Sequence, residues 1–534
     1  MDRIYTGYAE IKGTQMMKQT ADTFKFKVRT RKNTDEDINI QRHFPNWTEN
    51  DAREAFFSLG KFAIRESERN SVSDFLGGKI EKNGIHSRFK FYMDEYPLDK
   101  GLRFIFDTLE YAAVTDEIAP EELLYELVEA VLAMTHPKSG KFSPCMEKML
   151  NLYLGTVLNL GDIHGEADLF PTEGSNISVH YLIHSLLMNG VLERGDKVAF
   201  FVPKYSQEKI KTLFYKLEID CIFVNYDVFE EGEPERIEQE LQVLEDTKIK
   251  VLFMVGRSSR FVLEQNQVLN DKIDELLRET NPNLILVPDE MYAPFLKNYK
   301  SLYLSYPKNT IVLYSFSKYF GAPGWKLGMI MMSKDNVIDR IIEGSPPEKK
   351  AILNKRYQTK QDSSQELSFM ERLIIESRLL SDIHLSGIST PQQAQMFLFA
   401  MKTLLDENQK YQRELNHLCI RRKKLFLKGL GVKETKREPS SYSAKIDVSE
   451  WIEYMYGSDI KNLICENYEL SDIIYFLSDK KQEVFFGGEL PEVKHWSIRL
   501  SMINLSDEEY SSFGRSLRKT MDSLVRDLRC SHYF

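Results

Sequence analysis

The chain places a lysine at position 318, inside the run Ser315-Phe316-Ser317-Lys318-Tyr319-Phe320-Gly321-Ala322-Pro323-Gly324-Trp325, directly after the apolar residues 310–314. An apolar run that gives way to hydroxyls, an aromatic ring and a lysine puts that amine at the carboxyl end of a buried strand. A lysine held there is desolvated, loses its proton readily and can attack a carbonyl to form an imine. A second apolar run, residues 284–287, leads into Pro288-Asp289-Glu290-Met291-Tyr292, so it ends in a carboxylate with a phenol three residues on. Lys318 follows Asp289 by 29 positions. That separation suits two neighbouring strands of one sheet, both delivering chemistry at the same edge.

The elements that must position these residues follow from the hydrophobic pattern. Lys197–Val202 and residues 221–224, 250–255, 284–287 and 310–314 are short runs rich in Val, Ile, Leu and Phe, the signature of strands buried on both faces. Helical stretches lie between them, at 207–217 and 268–280, and residues 177–188 form a helix that Asn189-Gly190 stops. Alternating strand and helix predicts an α/β fold with a mostly parallel sheet and a site at the carboxyl ends of its strands. The pattern divides the chain into an N-terminal arm over 1–50, a helical region over 51–167, a large domain over 168–390 and a smaller α+β domain over 391–534. Helices are expected at 51–68, 119–134, 392–430 and 507–528. The charged residues 346–350 read as a solvated loop.

A lysine, a carboxylate and a phenol in this arrangement are what pyridoxal phosphate requires: an amine for the imine, an acid for the pyridinium nitrogen and a donor for the ring oxygen. Its phosphate needs amides and hydroxyls. Glu173-Gly174-Ser175-Asn176 opens the helix at 177, where free N–H groups and the dipole favour an anion.

With these motifs in hand, the chain resembles the fold-type I pyridoxal-phosphate-dependent aminotransferases of class I and II, and within them the bacterial aspartate 4-decarboxylases. The resemblance spans almost the whole length. It is carried by Ala55-Phe56-Phe57-Ser58-Leu59-Gly60, the run around Lys318 with Asp289 and Tyr292, Gly387-Ile388-Ser389-Thr390-Pro391-Gln392-Gln393, and Arg499-Leu500-Ser501. It implies that Lys318 anchors the cofactor and is the catalytic base. It places Gly174, Ser175, Asn176, Ser315 and Ser317 at the phosphate, Asp289 at the ring nitrogen, Tyr292 at the ring oxygen and Tyr205 stacked on the ring. Arg499 matches the arginine that clamps the substrate α-carboxylate, and Arg42 a second arginine for the far end of a dicarboxylate.

Four positions depart from the family pattern. An asparagine-proline pair is usual where this chain has Gly256-Arg257, so the ring oxygen keeps Tyr292 alone. The phosphate-binding arginine after the anchoring lysine is Lys326. The tyrosine that reaches a neighbouring subunit's phosphate is His136, and the glycines flanking Arg42 are Gln41 and His43.

The expected activity is that of a pyridoxal-phosphate enzyme, a lyase or transferase, acting on a small amino acid, L-aspartate above others. It would proceed by 4-decarboxylation to alanine and carbon dioxide, by transamination, or by both. Two alternatives remain: an aminotransferase or lyase for a different amino acid, and a catalytically degenerate homologue with a structural or regulatory role. The resemblance also implies a homodimer or larger homo-oligomer with active sites between subunits.

Composition excludes other classes. With a net charge of −9, nucleic acid is not the expected partner. No apolar span has membrane length, and the first 30 residues lack the apolar segment of a secretory signal. The five cysteines, Cys145, Cys221, Cys419, Cys465 and Cys530, form no CxxC pair and fit a reduced cytoplasm. His180 and His184 share a helix face, but no third ligand stands at a recognisable spacing, so no metal is expected.

Overall fold

The computed structural model describes residues 47–68, 80–133, 141–161, 165–202, 219–225, 234–254, 267–296, 299–357, 367–380, 387–406, 408–432, 442–470 and 496–531, with a few shorter pieces. Arg42, His136, Tyr205, Gly256 and most of 207–217 lie outside the described residues. The chain divides into two compact units, one made of residues 1–135, 144–149 and 397–410, the other of residues 136–143, 150–396 and 411–534.

Among its described residues the first unit carries the helices α1 (Glu49–Glu68), α2 (Ile85–Glu95), α3 (Lys100–Thr115) and α4 (Pro120–Leu132). Their apolar faces bury Leu59, Phe62, Phe89, Phe104, Leu109 and Leu127 completely. The Asp99 carboxylate starts α3 by accepting the Leu102 N–H at 3.0 Å, and it also accepts the Ser58 hydroxyl at 2.8 Å, which fastens α1 to the cap. Pro120 opens α4, where a missing N–H costs nothing. In the expected arm, Lys27–Val28 pairs antiparallel with Ile38–Asn39. Helix α5 (Pro144–Val157) follows.

The second unit carries the sheet. Its strands are β1 (Ala167–Thr172), β2 (Lys197–Val202), β3 (Asp220–Asn225), β4 (Ile249–Met254), β5 (Ile285–Pro288), β6 (Ile311–Ser315) and β7 (Gly328–Ser333). They lie in the order β1-β7-β6-β5-β4-β2-β3, with β5 and β6 joined by the parallel bridges Leu286–Thr310 and Asp289–Leu313. Only β7 runs against its neighbours. The carboxyl ends of β1, β5 and β6 therefore fall on one edge, together with the start of β7. Strands β2 and β4 lie inside the sheet and are buried on both faces, with Phe200 stacked on Phe253 at 5.2 Å.

Strands β1 and β7 were not expected. Pro171 and Asp168 disguise β1, and β7 is Gly-Met-Ile-Met-Met-Ser, whose methionines favour helix as readily as strand.

Helices α6 (Ser175–Met188), α7 (Pro234–Gln242) and α8 (Gln267–Glu275) connect the strands, and α8 continues as a π-helical turn to Thr280. Helix α6 ends as expected. Gly190 takes φ +64° and the Val191 N–H reaches back to Leu186 O at 2.9 Å. After β7 come α9 (Val337–Glu343), α10 (Pro347–Tyr357) and α11 (Phe369–Leu380). The expected loop at 346–350 is instead the first turn of α10, because Pro347 with Glu348 is a helix start.

Buried Glu376 of α11 accepts Arg356 Nε at 2.6 Å and the Tyr357 hydroxyl at 2.9 Å, with His184 Nε2 of α6 at 3.3 Å. His184 thus serves a layer of helix packing. Among the described residues no group of three His, Cys, Asp or Glu side chains could hold a metal ion.

The stretch expected as one helix over 392–430 is two, α12 (Thr390–Leu404) and α13 (Lys410–Leu430). Gln409 takes φ +50° and Asp406 accepts the Lys410 N–H at 3.0 Å, a break followed by a new cap. The C-terminal part pairs β8 (Ser443–Asp447) antiparallel with β9 (Ser497–Ser501), Lys445 opposite Arg499. Around them α14 (Val448–Tyr456), α15 (Ser458–Asn467) and α16 (Asp507–Ser531) bury Ile452, Ile464, Tyr510 and Phe513. No described helix is long and apolar enough to cross a membrane.

Candidate active site

Lys318 follows β6 in a tight turn. The Phe316 N–H donates to Leu327 O at 3.1 Å, the Phe320 N–H to Phe316 O at 3.2 Å and the Ala322 N–H to Ser317 O at 3.0 Å. Ser315 Oγ lies inside that turn, 3.3 Å from Leu327 O and 3.1 Å from Ser317 Oγ, and accepts the Ser317 N–H at 3.3 Å. The floor beneath is aromatic. Tyr153 stacks on Phe316 at 5.3 Å, Phe316 on Phe320 at 5.7 Å, and the Tyr411 hydroxyl donates to Tyr319 O at 2.8 Å. Tyr153 and Tyr314, both fully buried, share one hydrogen bond of 2.8 Å between their hydroxyls. Burial raises both phenols well above their ordinary range, so both stay neutral.

The neighbouring strand delivers the acid. The bridge from Asp289 to Leu313 sets this carboxylate beside β6, where it is 2% exposed and takes the Met291 N–H at 3.3 Å. Burial lowers the Lys318 amine below its ordinary 10.5, and the charge of Asp289 opposes that in part. The two groups thus act on each other, and burial makes this amine easier to deprotonate than a lysine in water.

Glu290, 1% exposed, points elsewhere. Its Oε1 accepts the Ser301 hydroxyl at 2.8 Å, and burial pushes its acid up to about 7. The Tyr292 ring packs against Tyr442 at 5.2 Å.

The third element is the start of α6. Gly174 takes φ +111°, a conformation costly for any side chain, and no side chain caps the helix. A Cβ on Gly328 of β7 would stand 2.6 Å from Gly174 Cα, and one on Gly174 would stand 4.0 Å from Ser315 Oγ. Two glycines therefore let the open amides beyond Gly174 approach the Ser315 turn. Ser175 is buried and Asn176 exposed, whereas Glu173 turns away to accept the Tyr181 hydroxyl at 3.0 Å and the Gly387 N–H at 2.9 Å.

Lys326 is exposed, with φ +54°, at the end of the turn that Gln392 holds through Trp325 O at 3.0 Å. The structure thus brings together Lys318, Asp289, Tyr292, Ser315, Ser317 and the Gly174 turn. Arg499 has its backbone on β9, and its side chain lies outside the described part. Arg42, His136 and Tyr205 lie outside it altogether.

One neighbour of Lys318 was missed. The Tyr442 ring lies 5.9 Å from Lys318 Nζ. In sequence it is one aromatic ahead of the Ser443-Ala444-Lys445-Ile446-Asp447 alternation, and nothing local marks it.

A family model for the class I and II aminotransferases matches residues 269–425, the stretch that contains Asp289 and Lys318. A bifunctional aspartate aminotransferase and L-aspartate beta-decarboxylase from Pseudomonas sp is 31% identical over 508 residues, covering 92% of this chain and 93% of that protein. The chain belongs to the class I and II aminotransferases. Among solved aminotransferases, aspartate aminotransferase from Thermus thermophilus with maleate is 16% identical, covering 74% of this chain and 88% of its own, at a TM-score of 0.47. Aromatic aminotransferase from Pyrococcus horikoshii is also 16% identical, covering 78% and 99%, at a TM-score of 0.49. Aminotransferases of this class depend on pyridoxal phosphate. The site's donor set fits that group: a desolvated amine, a buried carboxylate one strand away, and uncapped helix amides beside two hydroxyls.

Proposed function

We propose that this aminotransferase is a pyridoxal-phosphate enzyme of L-aspartate that releases its 4-carboxylate to give alanine, transaminates it, or does both. The observation that carries the reading is the pairing of Lys318 with Asp289 at adjacent strand ends, next to the uncapped start of α6. The near full-length likeness to the bifunctional Pseudomonas protein supports aspartate as the substrate.

Pyridoxal phosphate, when bound, supplies an electron sink for the carbanion left on the substrate. In this reading the amides of Gly174, Ser175 and Asn176, the hydroxyls of Ser315 and Ser317, and the Lys326 ammonium receive the phosphate. The Asp289 carboxylate holds a proton on the ring nitrogen. The Tyr292 phenol would serve the ring oxygen, Tyr205 would stack on the ring, and His136 of a neighbouring subunit would serve the phosphate. Lys318 Nζ anchors the cofactor, and later takes the proton from the substrate α-carbon and returns it, work that suits an amine whose burial favours its neutral form. Arg499 clamps the α-carboxylate and Arg42 orients the second carboxylate. A homodimer or larger assembly in the cytoplasm belongs to the same reading, and the cysteines are all free thiols.

Incubation of the cofactor-loaded protein with aspartate, with and without an oxo-acid acceptor, tests it. Alanine and carbon dioxide mark decarboxylation, and oxaloacetate formed with the acceptor's amino acid marks transamination. Turnover of neither kind by a protein that binds the cofactor would overturn the choice of aspartate.

A further inference from the structure

The proposed chemistry needs Lys318 to be a neutral amine shielded from water. One aromatic ring beside that amine comes from the C-terminal part of the chain. Tyr442 is 4% exposed, with its ring centroid 5.9 Å from Lys318 Nζ, 5.2 Å from the Tyr292 ring and 4.9 Å from the Phe295 ring. Phe295 in turn meets Tyr319 edge to face at 5.9 Å. The rings of Tyr442, Tyr292 and Phe295 thus pack as one aromatic cluster, and Tyr442 is the member that stands 5.9 Å from the amine.

The position of Tyr442 is set by the sheet that carries Arg499. The Met502 N–H donates to Tyr442 O at 2.8 Å, one step beyond the Ser443–Ser501 pair of β8 and β9. Its phenol faces Ser501, two residues after Arg499, and burial keeps the hydroxyl protonated.

We infer that Tyr442 is a positioning residue of the Lys318 site: its ring covers the amine, excludes water from it and registers it against the strand of Arg499. This rests on the reading of Lys318 as the reactive amine. Two effects of the ring oppose each other. A ring face near an ammonium favours the charged form, but at 5.9 Å that attraction is at the limit of its range. Exclusion of water favours the neutral form, and burial is the larger influence on Lys318. Removal of the ring therefore makes the amine both more accessible and harder to deprotonate. The hydroxyl has no part in this.

The test uses the full chain without cofactor: wild type, Y442F, Y442L and Y442A. Each is labelled with acetic anhydride across a pH series, and acetylation of Lys318 is read by mass spectrometry. Buried Lys402 and Lys423 report on the fold, since collapse of the packing would expose them as well.

In Y442A, and less in Y442L, the Lys318 labelling midpoint should rise towards that of a lysine in water and labelling above it should increase several-fold. Y442F should match wild type, and Lys402 and Lys423 should stay protected in all four. An unchanged Lys318 profile in Y442A, or a Y442F profile that follows Y442A, would overturn the inference. Were Y442A to unfold, Y442L against Y442F decides by the same comparison. Added pyridoxal phosphate separates the two claims, because failure to protect wild-type Lys318 would count against the cofactor reading while leaving the effect of Tyr442 in place.

Discussion

Replacing Glu290 by glutamine should make stability at neutral pH rise relative to wild type, even though the change removes a group hydrogen-bonded in the core. Glu290 is 1% exposed, accepts the Ser301 hydroxyl at 2.8 Å, and has no basic partner among the groups acting on it. Burial pushes its acid from 4.5 up to about 7, the contacts with Ser301, Tyr299 and the Leu302 amide oppose that, and the charge of Asp289 adds to it. An acid raised on folding keeps its proton in the native state over a range where the unfolded chain has lost it. Stability therefore falls as pH rises from about 4.5 to about 7, and is constant above and below that window. At about 1.36 kcal/mol per pH unit, the gap between 4.5 and about 7 amounts to about 3 kcal/mol. Glutamine has the same shape, keeps an oxygen for Ser301 and does not titrate. Denaturant unfolding of wild type and E290Q at pH 5, 6, 7 and 8 reads the difference through the transition of the unit that contains Glu290. E290Q should gain on wild type between pH 5 and 7 and hold that gain at pH 8. A difference that is flat across the series would refute the account of Glu290 as a neutral buried acid, and one that shrinks with pH would reverse its sign.

Two further predictions concern the supports of the site. Y153F leaves the Tyr314 hydroxyl buried without its partner and should cost about 1–2 kcal/mol, whereas Y153F/Y314F should recover much of that, since removing both ends leaves no orphan; equal costs in the single and double variants would contradict the pairing. G328A drives a Cβ to within 2.6 Å of Gly174 Cα, so it should displace the start of α6 and weaken pyridoxal phosphate binding at least about tenfold by titration, and unchanged affinity would show that the amides beyond Gly174 are not the phosphate site.

Much of this architecture was legible in the sequence because it is written locally. Strands β2, β4, β5 and β6 are buried on both faces and read as uninterrupted apolar runs, and the turns after β5 and β6 change abruptly to Asp289 and to Ser315-Phe316-Ser317-Lys318. What stayed hidden depends on distant partners. Strand β7 is a strand because β1 and β6 flank it, and its methionines state no preference. The break between α12 and α13 turns on the positive φ of one residue, Gln409, which is not glycine. Tyr442 reaches Lys318 across 124 positions of sequence, and Glu290 shows its proton affinity only through burial. Gly174 was visible as a turn, but the reason for Gly328 was not, since the close approach of the two glycines exists only once β1 and β7 are paired.

The most direct test of the central claim is the visible absorption spectrum of the purified protein with added pyridoxal phosphate, wild type beside K318A. The account predicts a yellow band in wild type that depends on Lys318 and is missing from K318A. No such band in wild type at saturating cofactor would contradict it and leave a protein with the aminotransferase fold and no cofactor chemistry at Lys318.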